Sequence, residues 1–370
     1  MSAELTARIA GSGSYLPPTI LDNRELFERA TIREAFDVER ARASLRGVER
    51  EALSAVEVFD LWSRQVTGIR ERRVLTPESG LTTEEMCAEA GRRALEMAGM
   101  AACDLDAVIV ASLTSSDIVP NSACTVAALL DVPRLGGFTL NAACAGFVYA
   151  AAAGYSLIRS QVAANILVIS GDTLSRVTDY SDPKTAVLFG DGAGALILTP
   201  STAGDGILGH PRLTGDYDRD PLYLIGQGWE AEEEPFPKLH MVGGPQILKK
   251  AILSMAEVAT RALETAGRGW DEVDFVIPHQ ANLRITQGLE RYLKLAKGRV
   301  IHTIETYGNL SASTVAVTLD EVLRGRHGTV PDPALIVLTA VGGGYTTAAT
   351  VIEWRGGAAG SSRRSGPEAT

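Results

Sequence analysis

Apolar residues along this chain recur with two alternating periods. From about Glu84 to Met97, and again from about Leu248 to Thr265, they return every three to four positions, the spacing of a helix that buries one face. Each stretch leads into a short strand-like run, Asp106-Ala-Val-Ile109 or Asp274-Phe-Val-Ile277. A further helical stretch then precedes Ile166-Leu-Val-Ile169 or Ala334-Leu-Ile-Val-Leu338. Such helix–strand alternation predicts a mostly parallel sheet with helices on its faces.

The pattern repeats at one constant offset, the separation of Arg93 from Arg261. Arg93-Ala-Leu-Glu-Met-Ala-Gly99 matches Arg261-Ala-Leu-Glu-Thr-Ala-Gly267, and the same offset carries the two strand runs onto their counterparts. Good helix composition ending in a glycine cap would explain one such match; it does not explain the ungapped continuation. The expected architecture is therefore α/β, two duplicated halves joined face to face in αβαβα layers. The N-terminal half is expected over residues 1–200 and the C-terminal half over 201–355.

Two segments stand outside the repeat. Residues from about Arg24 to Phe59 are rich in Glu and Arg with apolar residues at helical spacing, and read as one or two exposed amphipathic helices inserted near the entrance of the site. Residues 356–370 are Gly-, Ser- and Arg-rich and read as a disordered tail.

Composition narrows the function classes. With 370 residues, 45% of them apolar, the chain can bury a large core or two fused ones. A formal charge of −10 argues against general nucleic-acid binding. No apolar run is long enough for a membrane span, and the start lacks the form of a signal peptide, so a cytoplasmic protein is expected. Cys87, Cys103, Cys124 and Cys144 show no C-x-x-C pairing, which argues against a zinc site or disulfides and leaves room for one reactive thiol.

That thiol is Cys144, in Asn141-Ala-Ala-Cys-Ala-Gly-Phe-Val-Tyr149, where an apolar strand gives way to an Ala-rich helix. A helix N-terminus favours thiolate, and small neighbours admit a carbonyl to the sulfur; the plain alternative is a small core residue. His279 follows the second-half strand and Pro278, where side chains face a crevice. The offset maps it to Ala111, on the strand end that leads toward Cys144. Asn309 could simply cap the next helix, yet its repeat partner falls within a few residues of Cys144. Gly342-Gly-Gly-Tyr345 is a candidate oxyanion loop, and neither it nor Phe189-Gly-Asp-Gly-Ala-Gly-Ala195 has the form of a phosphate-binding loop.

Four ordered segments, N-A-A-C-A-G-F-V-Y-A from Asn141, F-G-D-G-A-G-A from Phe189, P-H-Q-A-N-L-R from Pro278 and G-N-L-S-A-S from Gly308, together resemble β-ketoacyl-acyl-carrier-protein synthase III of the thiolase superfamily, from about Ile9 to Trp354. The resemblance implies a thiolase-like fold, a homodimer, and no metal or redox cofactor. It implies that Cys144 takes an acyl group from acyl-CoA. His279 and Asn309 then bind malonyl-carrier protein, promote loss of carbon dioxide and stabilise the enolate that attacks the acyl-enzyme.

By the same resemblance the Cys144 and Gly343 N–H groups form the oxyanion hole, Trp62 and Arg176 sandwich the CoA adenine, and Asn282 lines the pantetheine channel. Arg284, with Lys249 and Lys250, forms a basic patch for an acidic carrier protein. Two departures stand out. Val66 replaces a common arginine, weakening the case for CoA as sole donor. Val119 stands where relatives often place Phe in the acyl pocket across the dimer, which points to an acyl group longer or bulkier than acetyl. Ester- or amide-forming acyl transfer and condensation without decarboxylation are the rival chemistries on this fold.

Overall fold

A computed structural model of the chain describes residues 5–218, 222–224, 238–241 and 245–356. Its first large sheet contains β1 (Thr6–Tyr15), β4 (Ala107–Ala111), β5 (Gly136–Leu140), β6 (Ile166–Thr173) and β7 (Asp191–Ser201), in the order β1-β7-β6-β4-β5. The second contains β8 (Gly206–Thr214), β11 (Phe275–Pro278), β12 (Ala334–Val341) and β13 (Thr347–Trp354), in the order β11-β12-β13-β8. Read from the opposite edge, the second order reproduces the first. A parallel bridge from Val276 to Val300 stands where the first sheet has β5. Two short ribbons, β2 (Ile20–Asp22) with β3 (Glu71–Arg73) and β9 (Leu222–Leu224) with β10 (Leu239–Met241), lie outside these sheets.

The sheets are mixed, not mostly parallel. β4 runs parallel to β5 and β6, but β7 is antiparallel to β6 and β1, and β13 is antiparallel to β12 and β8. The link from β12 to β13 is too short for a crossover, so the chain must turn straight back.

Two helices, α7 (Gly146–Arg159) and α12 (Ser313–Leu323), lie between the sheets. Ile166 and Val168 of β6 face them together with Ile336 and Leu338 of β12. The alternate residues Leu167 and Ile169 face α5 (Thr83–Ala98) and α6 (Ser122–Leu129). Leu335 and Val337 face α9 (Pro245–Ala266) and α10 (Leu283–Tyr292). Cover on both faces explains why these strands read as unbroken apolar runs. The five layers are helix, sheet, helix, sheet, helix. β12 begins and ends where the sequence offset carries the two ends of β6.

The segment near 24–59 differs from its expected form. It contains α1 (Asn23–Phe27), α2 (Ala30–Ala35), α3 (Val38–Ser44) and the start of α4 (Ala55–Thr67). Asp22 and Asp37 accept backbone N–H bonds at the starts of α1 and α3, dividing the pattern into short pieces. Their apolar faces are covered: Leu26, Phe27, Ile32 and Phe36 are buried with Phe59 in one cluster. Phe36 packs on Trp62 with ring centroids 5.1 Å apart. Short helices α8 (Pro183–Ala186) and α11 (Ile304–Tyr307) complete the described elements. The expected tail lies outside the described residues after 356.

Candidate active site

Each half carries the same turn ahead of its central helix. After β5, the Asn141 carboxamide oxygen accepts the Ala143 N–H at 3.0 Å, and Ala143 adopts φ 48°. In the other half the Asn309 oxygen accepts the Ser311 N–H at 2.9 Å, and Ser311 adopts φ 53°. Short polar side chains that bond the backbone two residues on make such turns. The left-handed residue sets the direction of its successor: Cys144 opens the entry to α7, and Ala312 occupies the equivalent place before α12.

Asn309 is therefore no helix cap; Ala312 is the residue preceding α12. With its oxygen held by Ser311, its amide NH2 is the end left for a ligand. Its backbone is clamped as well, its N–H donating to Leu188 O at 2.8 Å and its carbonyl accepting from Gly190 at 3.1 Å. Gly308, at φ 68°, must be small because a Cβ there would meet Leu188 O at 2.8 Å.

His279 follows β11, its N–H donating to Thr339 O at 2.8 Å. Its Nδ1 lies 2.8 Å from the Thr314 hydroxyl, which also donates to Ser311 O at 2.9 Å. Burial pushes the imidazole down to about 4, with a hydrogen bond to the Ser311 backbone acting the other way. At neutral pH the ring is uncharged.

The thiol departs from expectation. Cys144 is 6% exposed, and burial pushes it up to about 12, outweighing a hydrogen bond from Ser311 that favours thiolate. The Ser311 hydroxyl lies 3.9 Å from Sγ.

Cys144, His279 and Asn309 open onto one cavity of about 490 Å³, shared with Gly343, Trp62, Asn282 and Arg284. The glycine loop sits directly on the nucleophile: a Cβ at Gly342 would lie 2.8 Å from the Cys144 nitrogen. Thr346 fastens that loop, its hydroxyl 3.0 Å from Ala142 O. Asn282 caps α10 through the Arg284 N–H and donates to Val66 O at 2.9 Å, tying α10 to the end of α4. Arg284 stands exposed at the rim, bonded to Gln65 O at 2.6 Å.

Four of the anticipated site residues are not drawn into this cavity. Arg176 is exposed, and its guanidinium is taken by Leu81 O at 2.9 Å, so it does not join Trp62 at the lining. Lys250 is paired with Asp216 at 2.7 Å and lies 3.9 Å over the Tyr345 ring, which commits its charge locally. Lys249 is exposed. Val119 is 85% exposed and does not line the cavity of its own chain. Trp62 does line it, with Phe36 and Phe59 against its ring.

Sequence reasoning misses Ser311, although it lies inside G-N-L-S-A-S. Its N–H, carbonyl and hydroxyl reach Asn309, Thr314 and Cys144 respectively. A serine two residues after Asn309, at the repeat position of Ala143, is the signal that could have found it.

Known proteins resemble this chain along most of its length. Residues 138–212 match the family model for 3-oxoacyl-[acyl-carrier-protein] synthase III, and residues 263–354 match the model for its C-terminal region. The chain is 36% identical to β-ketoacyl-[acyl-carrier-protein] synthase III of Desulfitobacterium hafniense, over 94% of this chain and 97% of that protein. It is 39% identical to the Roseiflexus enzyme of the same name, over 81% and 91%. The crystal structure of 3-oxoacyl-[acyl-carrier-protein] synthase III from Aquifex aeolicus superposes with a TM-score of 0.79 at 34% identity, covering 94% of this chain and all of that one. The priming β-ketosynthase of the R1128 polyketide pathway gives 0.80 at 29% identity, covering 96% and 98%. This chain belongs to the β-ketoacyl-[acyl-carrier-protein] synthase III family.

Proposed function

We propose that the protein catalyses the condensation that starts a fatty-acid or polyketide chain. The Cys144 sulfur attacks the carbonyl of an acyl thioester, the donor thiol departs, and the acyl group stays on the enzyme. Malonyl-carrier protein then enters, loses carbon dioxide, and its enolate attacks the acyl-enzyme, releasing the sulfur. Convergence of Cys144, His279 and Asn309 on one cavity supports this reading above every other observation.

The chemistry suits the groups. A covalent intermediate splits one difficult step into two. A neutral imidazole and a carboxamide aimed at the malonyl thioester oxygen steady the charge that develops there as carbon dioxide leaves; donors of this kind are worth roughly 3–4 kcal/mol each. Gly343 and the Cys144 N–H serve the acyl carbonyl. Arg284 at the rim is the cation best placed to meet an acidic carrier protein, and the reaction uses no metal or redox cofactor.

A homodimer belongs to the same reading. Ile118 and Val119 stand 80% and 85% exposed, two adjacent apolar side chains that a second copy would cover, and Val119 would then reach the partner's acyl pocket. The cytoplasm is the setting this reading takes for the enzyme.

Incubation with a panel of acyl thioesters, carried on CoA and on carrier protein, tests the proposal by intact-protein mass. One acyl adduct on the wild type and none on Cys144→Ala is the expected result. An adduct that survives in Cys144→Ala removes the nucleophile.

A further inference from the structure

One cation in the cavity has no part in the chemistry so far. Among the described residues, two cationic side chains line the cavity of about 490 Å³, Arg284 and Lys184 of α8. Both are exposed, whereas Cys144 in the same cavity is 6% exposed, so the cations mark its solvent side. Apolar side chains, among them Trp62, Leu188, Leu222, Met241 and Ile285, make up much of the remaining wall.

Neither cation is neutralised within the described residues. Arg284 bonds a neutral group, Gln65 O at 2.6 Å. The carboxylates nearest Lys184 in sequence are engaged elsewhere: Asp182 accepts the Lys184 backbone N–H at 3.0 Å and the Thr185 hydroxyl at 2.7 Å, and Asp179 pairs with Lys238 at 3.6 Å. The carboxylate in the lining is Asp218, two residues from Asp216, whose partner Lys250 lies over Tyr345 of the glycine loop. A chain of net charge −10 repels anions, so a pair of uncompensated cations in a cavity wall is where one can be held.

The ligand that fits has a reacting end at Cys144, a neutral arm along the apolar wall and an anion at the exposed rim. Thioesters on CoA and on carrier protein share that form, because in both a pantetheine arm joins the thioester sulfur to a phosphate ester. We propose that Lys184, with Arg284, binds the phosphate that ends the pantetheine arm, and that the site recognises its thioester substrates by this phosphate and not by the nucleotide of CoA. An ammonium serves phosphate as a point charge and a guanidinium as a planar fork. The nucleotide is left without its expected cation: Arg176 is bound to Leu81 O and stands outside the lining, and Val66 lines the wall with an apolar side chain.

The phosphate site rests on the thioester reading of the cavity, so its test uses a binding readout that needs no acyl transfer. Cys144 of the full-length protein is labelled with iodoacetamide in the presence of S-ethyl pantetheine, S-ethyl phosphopantetheine or S-ethyl CoA, none of which carries a free thiol. Protection is read at the Cys144 peptide by mass mapping, because Cys103 and Cys124 are exposed. The phosphopantetheine compound is expected to bind at least about tenfold more tightly than the pantetheine compound, as hydrogen bonds to a charged group allow, and the CoA compound within about threefold of it. Lys184→Ala, a change at an exposed side chain, should lose at least about threefold of the phosphate advantage. No advantage in the wild type, or the same advantage in Lys184→Ala, would overturn the site. CoA binding about tenfold more tightly than phosphopantetheine would show that the nucleotide is recognised, and would overturn the stated basis of selection.

CoA and holo-carrier protein present this phosphate in different surroundings, within a diphosphate in one and as a diester to a serine in the other. With both as S-ethyl protectants, Lys184→Ala is expected to weaken each by the same factor. A loss confined to CoA would assign Lys184 to the second phosphate, and one confined to the carrier would assign it to the carrier's protein surface; either overturns the proposal. Phosphate-dependent protection in a protein that no thioester acylates keeps the site and removes the proposed function. Acylation that is indifferent to the phosphate does the reverse.

Discussion

Ala143 and Ser311, one repeat apart, hold the same left-handed backbone at φ 48° and 53°, each donating its N–H to an asparagine two positions earlier. Duplication has thus produced two copies of one strained turn on facing helices, and the copies have diverged. One delivers the thiol; the other delivers an amide and a hydroxyl to it. Non-glycine residues in this region cost roughly 1–3 kcal/mol and persist where the surroundings enforce them.

Relief of that strain is measurable. Ala143→Gly is expected to fold and to gain up to about 1 kcal/mol in chemical denaturation, since Cβ is the source of the cost. Ala143→Val should lose at least about 1 kcal/mol and abolish self-acylation, because a β-branched residue fits this backbone worst. Equal stability of the two variants would mean the turn is not strained.

Much of this site was legible in the sequence because its parts are local. The repeat offset related the two halves, and Cys144 and His279 sit at strand-to-helix junctions whose composition is readable, whereas Asn309 lies in the turn between α11 and α12 instead of after a strand. Burial was not readable: nothing in N-A-A-C-A-G tells how little solvent reaches the sulfur, so the expected thiolate became a thiol held up to about 12. Nor was contact between distant turns. Ser311 reads as a small residue before a helix until the fold sets its hydroxyl 3.9 Å from the Cys144 sulfur. The Arg24–Phe59 segment showed an apolar face but not that this face closes on its own Phe59 and on Trp62.

The segment's role in holding Trp62 gives a second prediction. Phe36 is buried against Phe27, Phe59 and Trp62. Phe36→Ala should cost about 3–5 kcal/mol by truncating a core aromatic. A loss below about 1 kcal/mol in urea denaturation would show that the segment packs loosely.

Separate steps should fail separately. His279→Ala and Asn309→Ala are expected to suppress release of labelled carbon dioxide from malonyl-carrier protein by about a hundredfold or more while one acyl group still loads on Cys144. Loss of loading with decarboxylation intact would reverse the two roles.

The glycine loop makes the opposite prediction. A Cβ at Gly342 would sit 2.8 Å from the Cys144 nitrogen and cover the N–H assigned to the acyl oxyanion. Gly342→Ala should therefore lower the acylation rate by about a hundredfold, chiefly in kcat rather than KM, because the donor acts as charge develops. A variant raised only in KM would place the oxyanion elsewhere.

His279 also predicts how stability depends on pH. Burial moves its imidazole from 6.5 to about 4 in the folded protein. Between those values the unfolded chain binds the proton and the folded chain does not, so this residue makes folding less favourable as pH falls through the window. At pH 5 the contribution against folding is about 2 kcal/mol relative to pH 7.5, by linkage. Asp191 acts with the opposite sign: its carboxyl is raised by burial to about 6, so the folded state holds the extra proton, and this part of stability is present at low pH and lost as pH rises through 6. His279→Asn removes the first effect and leaves the second. Urea denaturation at pH 7.5 and pH 5 should therefore show a smaller acid-side loss in the variant than in the wild type, the difference being about 2 kcal/mol. Equal losses in both proteins would mean that the imidazole is not held neutral by its burial.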